Sequence, residues 1–477
     1  VAPETCGIGG DLFALVHRPG WDRPRAVNAS GRAGSNADPQ VLRSAGLAEI
    51  PRDHPLTVTV PGCVDGWAAL SSELGALPLA DCLVPAIEIA TEGFEVSNEQ
   101  AQAFRLTAAM YSAHPAVREL YPDGEPVERG SIIRRNLLAG TLRSIAQGGR
   151  AAFYTGDPAD DIVAELDGTI TREDLARSHA DWVDPISCQV TGYEAWTIPP
   201  NSQGYLGPAT LAVFEMLEPP PDVDHPLWLH LLIESFRSVA WERDDIVADP
   251  DHAPLPADLL LDRARLSRAA ATIDRYRTGV WPGVIGRGAG TAYLCVVDDD
   301  GMAVSMIQSN YNGTGSAFGA PHCGFLLHNR GAGFSLTPGH PNELRPGKRP
   351  LHTLSPTIWT SNRQTRWVIG TRGGSVQPQL VAQVAARAVL GGQELADAQQ
   401  SPRWTIQDFG PFSEPRLRFE PGVLPGTLTE LRGRGHQIEE LENLQPAWGP
   451  VSIIEVAGDH RATHRDPRVD TTSAVIL

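Results

Sequence analysis

The chain has 477 residues, 42% of them hydrophobic and 20% charged, a balance that can bury a large core and is ordinary for a soluble globular protein. Its net charge of −18 repels polyanions, which excludes nucleic acid and anionic membrane as expected partners and leaves a small molecule as the expected ligand. No apolar run reaches membrane-spanning length, so a cytoplasmic location is expected, with the reservation that the sequence opens at Val1 without a Met.

In chain order, the glycine turn Cys6-Gly7-Ile8-Gly9-Gly10-Asp11 feeds an apolar strand, Leu12 to Val16. With no lysine or helix behind it, close packing explains these glycines better than a phosphate does. A second strand, Arg25 to Ala29, ends in Ser30-Gly31-Arg32, and Pro61 to Trp67 turns into a helix from Ala68 to Leu74. Apolar residues at helical spacing predict amphipathic helices over Ala86 to Arg105 and Ile132 to Gln147. Thr171 with Asp174 is a capping signal, Trp196 to Ile198 reads as a strand stopped by Pro199-Pro200, and Leu227 to Trp241 as a strong helix with Glu234 and Arg237 paired on its surface.

The stretch from Gly288 to Ser309 reads as a β-hairpin whose apolar arms, Tyr293 to Val297 and Met302 to Ile307, flank Asp300-Gly301. With those two as the loop, Asp299 pairs with Met302, Thr291 falls opposite Asn310, and Ser309 is its close neighbour. Gly288-Ala289-Gly290 is a flexible lead-in that exposes the Gly290-Thr291 bond. A hydroxyl there can attack the preceding carbonyl, and cleavage gives Thr291 a free α-amine to act as base for its own hydroxyl. From these few residues alone the simpler reading, a β-branched residue opening a strand, is the favoured one.

Beyond the hairpin come a strand at Gly324 to Leu327, a basic turn from Leu344 to Pro350, a strand at Trp367 to Ile369, and Gly370 to Ser375 leading into a helix from Val376 to Leu390. A glycine loop at a helix N-terminus offers unpaired N–H groups to an anion or oxyanion. The six scattered cysteines form no C-x-x-C pair, and neither H-E-x-x-H, nor a phosphate-loop lysine, nor a dinucleotide fingerprint is present, so no metal or cofactor is expected. His322, His328, His340 and His352 read as hydrogen-bonded or exposed histidines, and Lys348, the sole lysine, is the single candidate for Schiff-base chemistry.

Ordered along essentially the whole chain stand Gly7-Ile8-Gly9-Gly10, Pro61-Gly62 with Gly66-Trp67, Phe153-Tyr154 with Gly156, Pro199-Pro200, Thr291, Gly324-Phe325-Leu326-Leu327, Pro346-Gly347-Lys348-Arg349-Pro350, Ser355-Pro356-Thr357, Gly373-Gly374 and Asp466-Pro467-Arg468. With these the sequence resembles the γ-glutamyltranspeptidase family of N-terminal nucleophile hydrolases. The resemblance implies an α/β (α+β) fold, a four-layer αββα sandwich, made as a precursor and self-cleaved into a large segment, 1 to 290, and a small segment, 291 to 477. The two would stay associated as one domain, within a higher homo-oligomer if one forms. It also implies Thr291 as nucleophile, Ser309 as the hydroxyl beside its amine, and Gly373 and Gly374 as the oxyanion hole.

The departures lie where the family grips its γ-glutamyl substrate. The arginine for the substrate carboxylate is replaced by about Ser30, with Arg32 displaced nearby. The acid that receives the amine falls near Gly333, the usual Asn two residues past Ser309 is Tyr311, and the serine pair becomes His352-Thr353. Arg32 and Arg330 are the cations that could replace the lost clamp. Losing both partners of a zwitterion costs several kcal/mol of binding, since hydrogen bonds to charged groups contribute about 1.5–3 kcal/mol each, so the expected substrate is a small-molecule amide other than glutathione. A faithful γ-glutamyltransferase acting on glutathione, a C–C bond hydrolase of secondary metabolism and a non-catalytic scaffold of the same fold are the alternatives.

Overall fold

A computed structural model of the chain describes residues 3–177, 180–281, 290–407, 416–470 and 472–475. Its centre is a pair of antiparallel sheets built from β1 (Asp11–His17), β2 (Arg25–Ala29), β3 (Asp181–Val183), β4 (Ile186–Val190), β5 (Tyr193–Thr197), β6 (Ala292–Val297), β7 (Ala303–Ser309), β8 (Thr357–Ser361), β9 (Gln364–Thr371), β10 (Val451–Ala457) and β11 (His460–Thr463). One sheet runs β3-β2-β1-β7-β6 and the other β11-β10-β9-β8-β5-β4. Each therefore combines strands from before and after Thr291.

Strand β1 shows why the sheets stack. All seven of its residues are buried, and side chains alternate between faces. Phe13 and Leu15 join Ile307, Ile358 and Val368 between the sheets. Leu12 and Ala14 face outward and pack with Val27, Ala29 and Cys63. That outer face is covered by helix α1 (Cys63–Leu74), with α2 (Leu79–Glu92) and α3 (Asn136–Tyr154) in the adjoining helical core. Helices α4 (Leu206–Met216), α5 (Pro226–Ala240) and α6 (Gln377–Ala385) pack through Leu211, Phe236 and Leu380 into the core over the second sheet. The layers are helix, sheet, sheet, helix, as the resemblance implied.

Three expectations are corrected. The helix read over Ala86 to Arg105 is broken at Gly93, whose φ of +103° ends α2. A new helix, Asn98–Tyr111, starts from a Ser97–Gln100 capping box. In the central hairpin, Ala292 pairs with Gln308 and Val297 with Ala303, one residue away from the expected register. Asp298 N–H donates to the Met302 carbonyl at 3.0 Å, and Gly301 takes φ +80°, so the loop has three residues with Gly in the left-handed place instead of two. Extended by one step, that register sets Thr291 opposite Ser309 rather than Asn310. Finally, Glu234 on α5 is fully buried instead of on a surface face.

Candidate active site

Gly290 holds φ +121°, and a Cβ there would press on Gly313 O at 2.7 Å, so only glycine lets the chain slip beneath the 311–313 loop. Gly288 and Ala289, the rest of the expected lead-in, lie outside the described residues. Directly after Gly290, Thr291 is buried, and its Oγ1 lies 2.6 Å from the Gly290 carbonyl oxygen and 3.2 Å from Ser309 Oγ. Ser309, at the end of β7, donates to that same carbonyl at 2.5 Å and accepts the Tyr311 N–H at 2.8 Å. Both hydroxyls thus converge on one peptide group.

From Ser309 a line of contacts runs round to the glycine loop after β9. Tyr311 sits at φ +74°, a conformation that bulky residues rarely adopt. Its ring carries the Arg330 guanidinium, whose Cζ is 3.4 Å from the ring centroid. Arg330 Nη1 donates to Thr353 Oγ1 at 3.3 Å. The Gln203 amide donates to Thr353 O at 3.3 Å and to Gly374 O at 3.2 Å. Gly373 and Gly374 have φ of +128° and +58°, left-handed backbone that favours glycine, just ahead of α6. Tyr293, two residues past Thr291, packs its ring on Gly370, where a side chain would collide with it, and so brings the end of β9 beside the start of β6.

Next to Arg330 lies a buried polar layer in which His328 and His352, read from the sequence as hydrogen-bonded or exposed histidines, meet Asp11, which sequence reasoning missed. Asp11 accepts His352 Nε2–H at 3.1 Å and Gly31 N–H at 3.1 Å, and His328 Nδ1 is 3.8 Å away. Burial opposes the Asp11 charge, yet His328, His352 and the Gly31 N–H outweigh it and keep this carboxyl below its ordinary range. Burial first, and the Arg330 charge after it, bring His352 down to about 4, so its ring is neutral near pH 7. His328 Nδ1 accepts the Arg330 N–H at 3.2 Å and Nε2 faces Thr59 O at 2.8 Å, fixing the turn that carries the guanidinium. The available signal for Asp11 was an acid at the first residue of a fully buried strand, where it must find partners.

The remaining expected residues divide. Ser30 is buried, its hydroxyl held by Asn201 Nδ2 at 3.0 Å and its carbonyl by Arg349 Nε at 2.7 Å. Asn201 O in turn accepts the His352 N–H at 2.8 Å, so Ser30 supports the site from behind. Arg32 does not join the group: its guanidinium bonds Asp249 at 3.2 Å and Gly347 O at 3.1 Å. Lys348 donates to the carbonyls of Pro341 and Glu343, and burial lowers it to about 8.

The sequence model of γ-glutamyltranspeptidase matches residues 1–476. The chain belongs to the γ-glutamyltranspeptidase family. It is 34% identical over 463 residues to a glutathione hydrolase-like YwrD proenzyme of Bacillus subtilis, covering 96% of this chain and 87% of that one. Over 481 residues it is 35% identical to an oxamate amidohydrolase proenzyme of Klebsiella pneumoniae, covering 97% and 90%. The crystal structure of a cephalosporin acylase from Bacillus halodurans superposes with a TM-score of 0.88 at 32% identity, over 98% of this chain and 87% of that one. The protein is a γ-glutamyltranspeptidase-like N-terminal nucleophile hydrolase. No helix among the described residues is long and apolar enough to cross a membrane.

Proposed function

We propose that this γ-glutamyltranspeptidase-family chain cleaves itself between Gly290 and Thr291 and then hydrolyses, or transfers the acyl group of, a small-molecule amide other than glutathione, with Thr291 as nucleophile. The observation that carries this reading is the convergence of two hydroxyls on the Gly290 carbonyl oxygen, Thr291 Oγ1 at 2.6 Å and Ser309 Oγ at 2.5 Å, which sets the Thr291 hydroxyl beside the bond it would break. Attack of Oγ1 on the Gly290 carbonyl carbon forms an ester as the peptide C–N bond breaks, and the α-amine of Thr291 is released. Ser309 stabilises the charge on the carbonyl oxygen during that step. Water then splits the ester and leaves segments 1–290 and 291–477, which stay together because each sheet contains strands of both.

In the matured site the Thr291 amine takes the hydroxyl proton, the hydroxyl attacks the substrate carbonyl, and the Gly373 and Gly374 N–H groups receive the oxyanion. The departing amine carries the proton away, and water or a second amine completes the turnover. Three relatives bear names for quite different substrates, oxamate, a cephalosporin and glutathione, which fits a constant acyl-transfer apparatus behind a variable pocket. Glutathione is disfavoured because Ser30 is spent on Asn201 and Arg349, and no acid stands at Gly333.

The test is intact mass and a denaturing gel on the purified protein. Two fragments meeting between Gly290 and Thr291, abolished together with amide turnover in Thr291→Ala, are the expected result. An uncut chain, or a Thr291→Ala protein that still splits or turns over, overturns the reading.

A further inference from the structure

Residues 310 to 315 turn back across Gly290, and their backbone is of a kind that does not hold itself. Tyr311, Gly313 and Gly315 have φ of +74°, +65° and +129°, and a residue with a side chain persists in that region only where its surroundings fix it. The loop lies close on Gly290. A Cβ there would meet Gly313 O at 2.7 Å and both Gly313 N and Tyr311 O at 3.1 Å. Tyr311 also gives its N–H to Ser309 Oγ at 2.8 Å, and that hydroxyl donates to the Gly290 carbonyl. The height of this loop therefore sets both the Gly290 peptide and the group that polarises it.

One buried side chain grips the loop at its middle. Asn329 is 0% exposed. Its Oδ1 accepts the Asn312 N–H at 2.9 Å and its Nδ2 donates to Asn312 O at 3.1 Å, so the side-chain amide pairs with residue 312 as a neighbouring strand would. The other Nδ2 hydrogen goes to Gly315 O at 2.9 Å, and the Asn329 N–H to Asn310 O at 3.2 Å. Both amide hydrogens and the amide oxygen are thus spent on the loop. Asn312, the residue gripped from both sides, lies between the two that touch Gly290. Asn329 is itself fixed from behind: the His328 N–H donates to Gly9 O at 3.0 Å, beside the bridge from Gly9 to Leu327, and the Ala332 N–H donates to Asn329 O at 3.1 Å.

We propose that Asn329 positions the Gly290-Thr291 peptide for self-cleavage, by holding residues 311 to 313 against Gly290 and, through the Tyr311 N–H, the Ser309 hydroxyl on the Gly290 carbonyl. This rests on Thr291 being the nucleophile of that cleavage. Asn329 takes no part in the bond changes: Thr291 Oγ1 bonds the Gly290 carbonyl carbon, the C–N bond breaks, the hydroxyl proton leaves with the new amine, and water splits the ester. What Asn329 supplies is alignment, and a misplacement of about 1 Å at the reacting atoms costs about a hundredfold in rate.

Self-cleavage is its own assay and needs no external substrate. Gel time courses follow freshly made precursor of the parent, Asn329→Ala and Asn329→Asp. Urea midpoints of the same changes in a Thr291→Ala background, which stays uncut, establish that each precursor is folded in the assay, so that lost stability alone leaves the rate unchanged. Folded Asn329→Ala is expected to split about tenfold to a hundredfold more slowly than the parent. Asn329→Asp adds a pH signature. Burial raises its carboxyl above the ordinary value near 3.9. Neutral, that carboxyl can donate to Asn312 O as the amide does; charged, it faces the Asn312 and Gly315 carbonyls with acceptors alone. Its rate relative to the parent at the same pH is therefore expected to be low at about pH 8 and to climb toward one at about pH 5. A parent that splits while folded Asn329→Ala keeps the parent's rate, or an Asn329→Asp ratio equal at both pH values, overturns this inference alone, and where Asn329→Ala does not fold the Asn329→Asp series decides. A parent that stays uncut overturns the self-cleavage reading and this inference with it.

Discussion

The Ser309 hydroxyl donates to the carbonyl oxygen of Gly290 at 2.5 Å while its own oxygen accepts the Tyr311 N–H at 2.8 Å. A side chain on one hairpin arm thereby polarises the peptide bond that precedes the other arm. Replacing Ser309 by Ala removes that donor and strands the Tyr311 N–H. Self-cleavage in Ser309→Ala is expected to slow by about a hundredfold, the scale of losing one oxyanion donor, with Ser309→Thr close to the parent. A gel time course from the freshly made precursor measures it, and equal rates in the Ala variant and the parent would remove Ser309 from the cleavage step.

Glu234 anchors the segment that runs toward Thr291. Its carboxylate accepts Thr278 Oγ1 at 2.9 Å, Gly279 N–H at 2.7 Å, Trp281 Nε1 at 3.1 Å and Arg237 Nη1 at 3.1 Å. Glu234→Ala leaves the Arg237 charge and three donors without their acceptor, at a cost of about 3–5 kcal/mol. The expected signs are a lower urea midpoint and new proteolytic cuts within residues 275–281. A variant with the parent's digestion pattern would show that the segment is held by other means.

Acid sensitivity should come from buried neutral histidines. Burial, with nearby Arg330, lowers His352 to about 4. Burial, with Arg237, His230 and Arg434, lowers His436 to about 3. Unfolded histidine titrates near 6.5, so between about pH 6.5 and 4 the unfolded chain holds protons that the native one does not, and stability falls with pH by up to about 1.4 kcal/mol per unit for each ring. Urea midpoints steady from pH 7 to 8 and dropping from 6 to 4.5 are expected, with a shallower drop in His436→Asn. The same slope in that variant would mean His436 is not a contributor.

A second polar core ties the C-terminal segment to the second sheet. Asp466 meets Arg403 at 2.6 Å, Arg468 at 3.3 Å and the Val451 N–H at 2.9 Å, and Arg468 also pairs with Glu420. Burial opposes the Asp466 charge, but the two arginines prevail and hold its carboxyl below the ordinary range. Its contribution is complete above the unfolded value near 3.9 and is lost as pH falls through the lowered native one. Asp466→Asn leaves two buried guanidinium groups short of a counter-charge, and a loss of about 3–5 kcal/mol in urea unfolding is expected. A loss below about 1 kcal/mol would mean that Glu420 compensates.

What the sequence alone determined was whatever depends on near neighbours or on period. The apolar run Leu12 to Val16 behind a glycine turn made a buried strand, Thr171 with Asp174 made a helix start, and two apolar arms around Asp300-Gly301 made a hairpin that brought Thr291 to Ser309. The ordered motifs carried the four-layer fold. Even the one-residue error in the hairpin is local, because two-residue and three-residue loops both end in glycine and only the strand pairing chooses between them.

Only the tertiary structure decided the charges. Glu234 and Arg237 have helical spacing that fits a solvated pair, yet α5 is covered on that side and the carboxylate is buried. Arg32 and Arg330 were equal candidates for a substrate carboxylate. Asp249, 217 positions away, takes the first, while a 3-10 turn and the ring of Tyr311, two residues past Ser309, place the second. Pairing between charges distant in sequence leaves no periodic trace, because it is fixed by which surfaces the sheets and helices bring together.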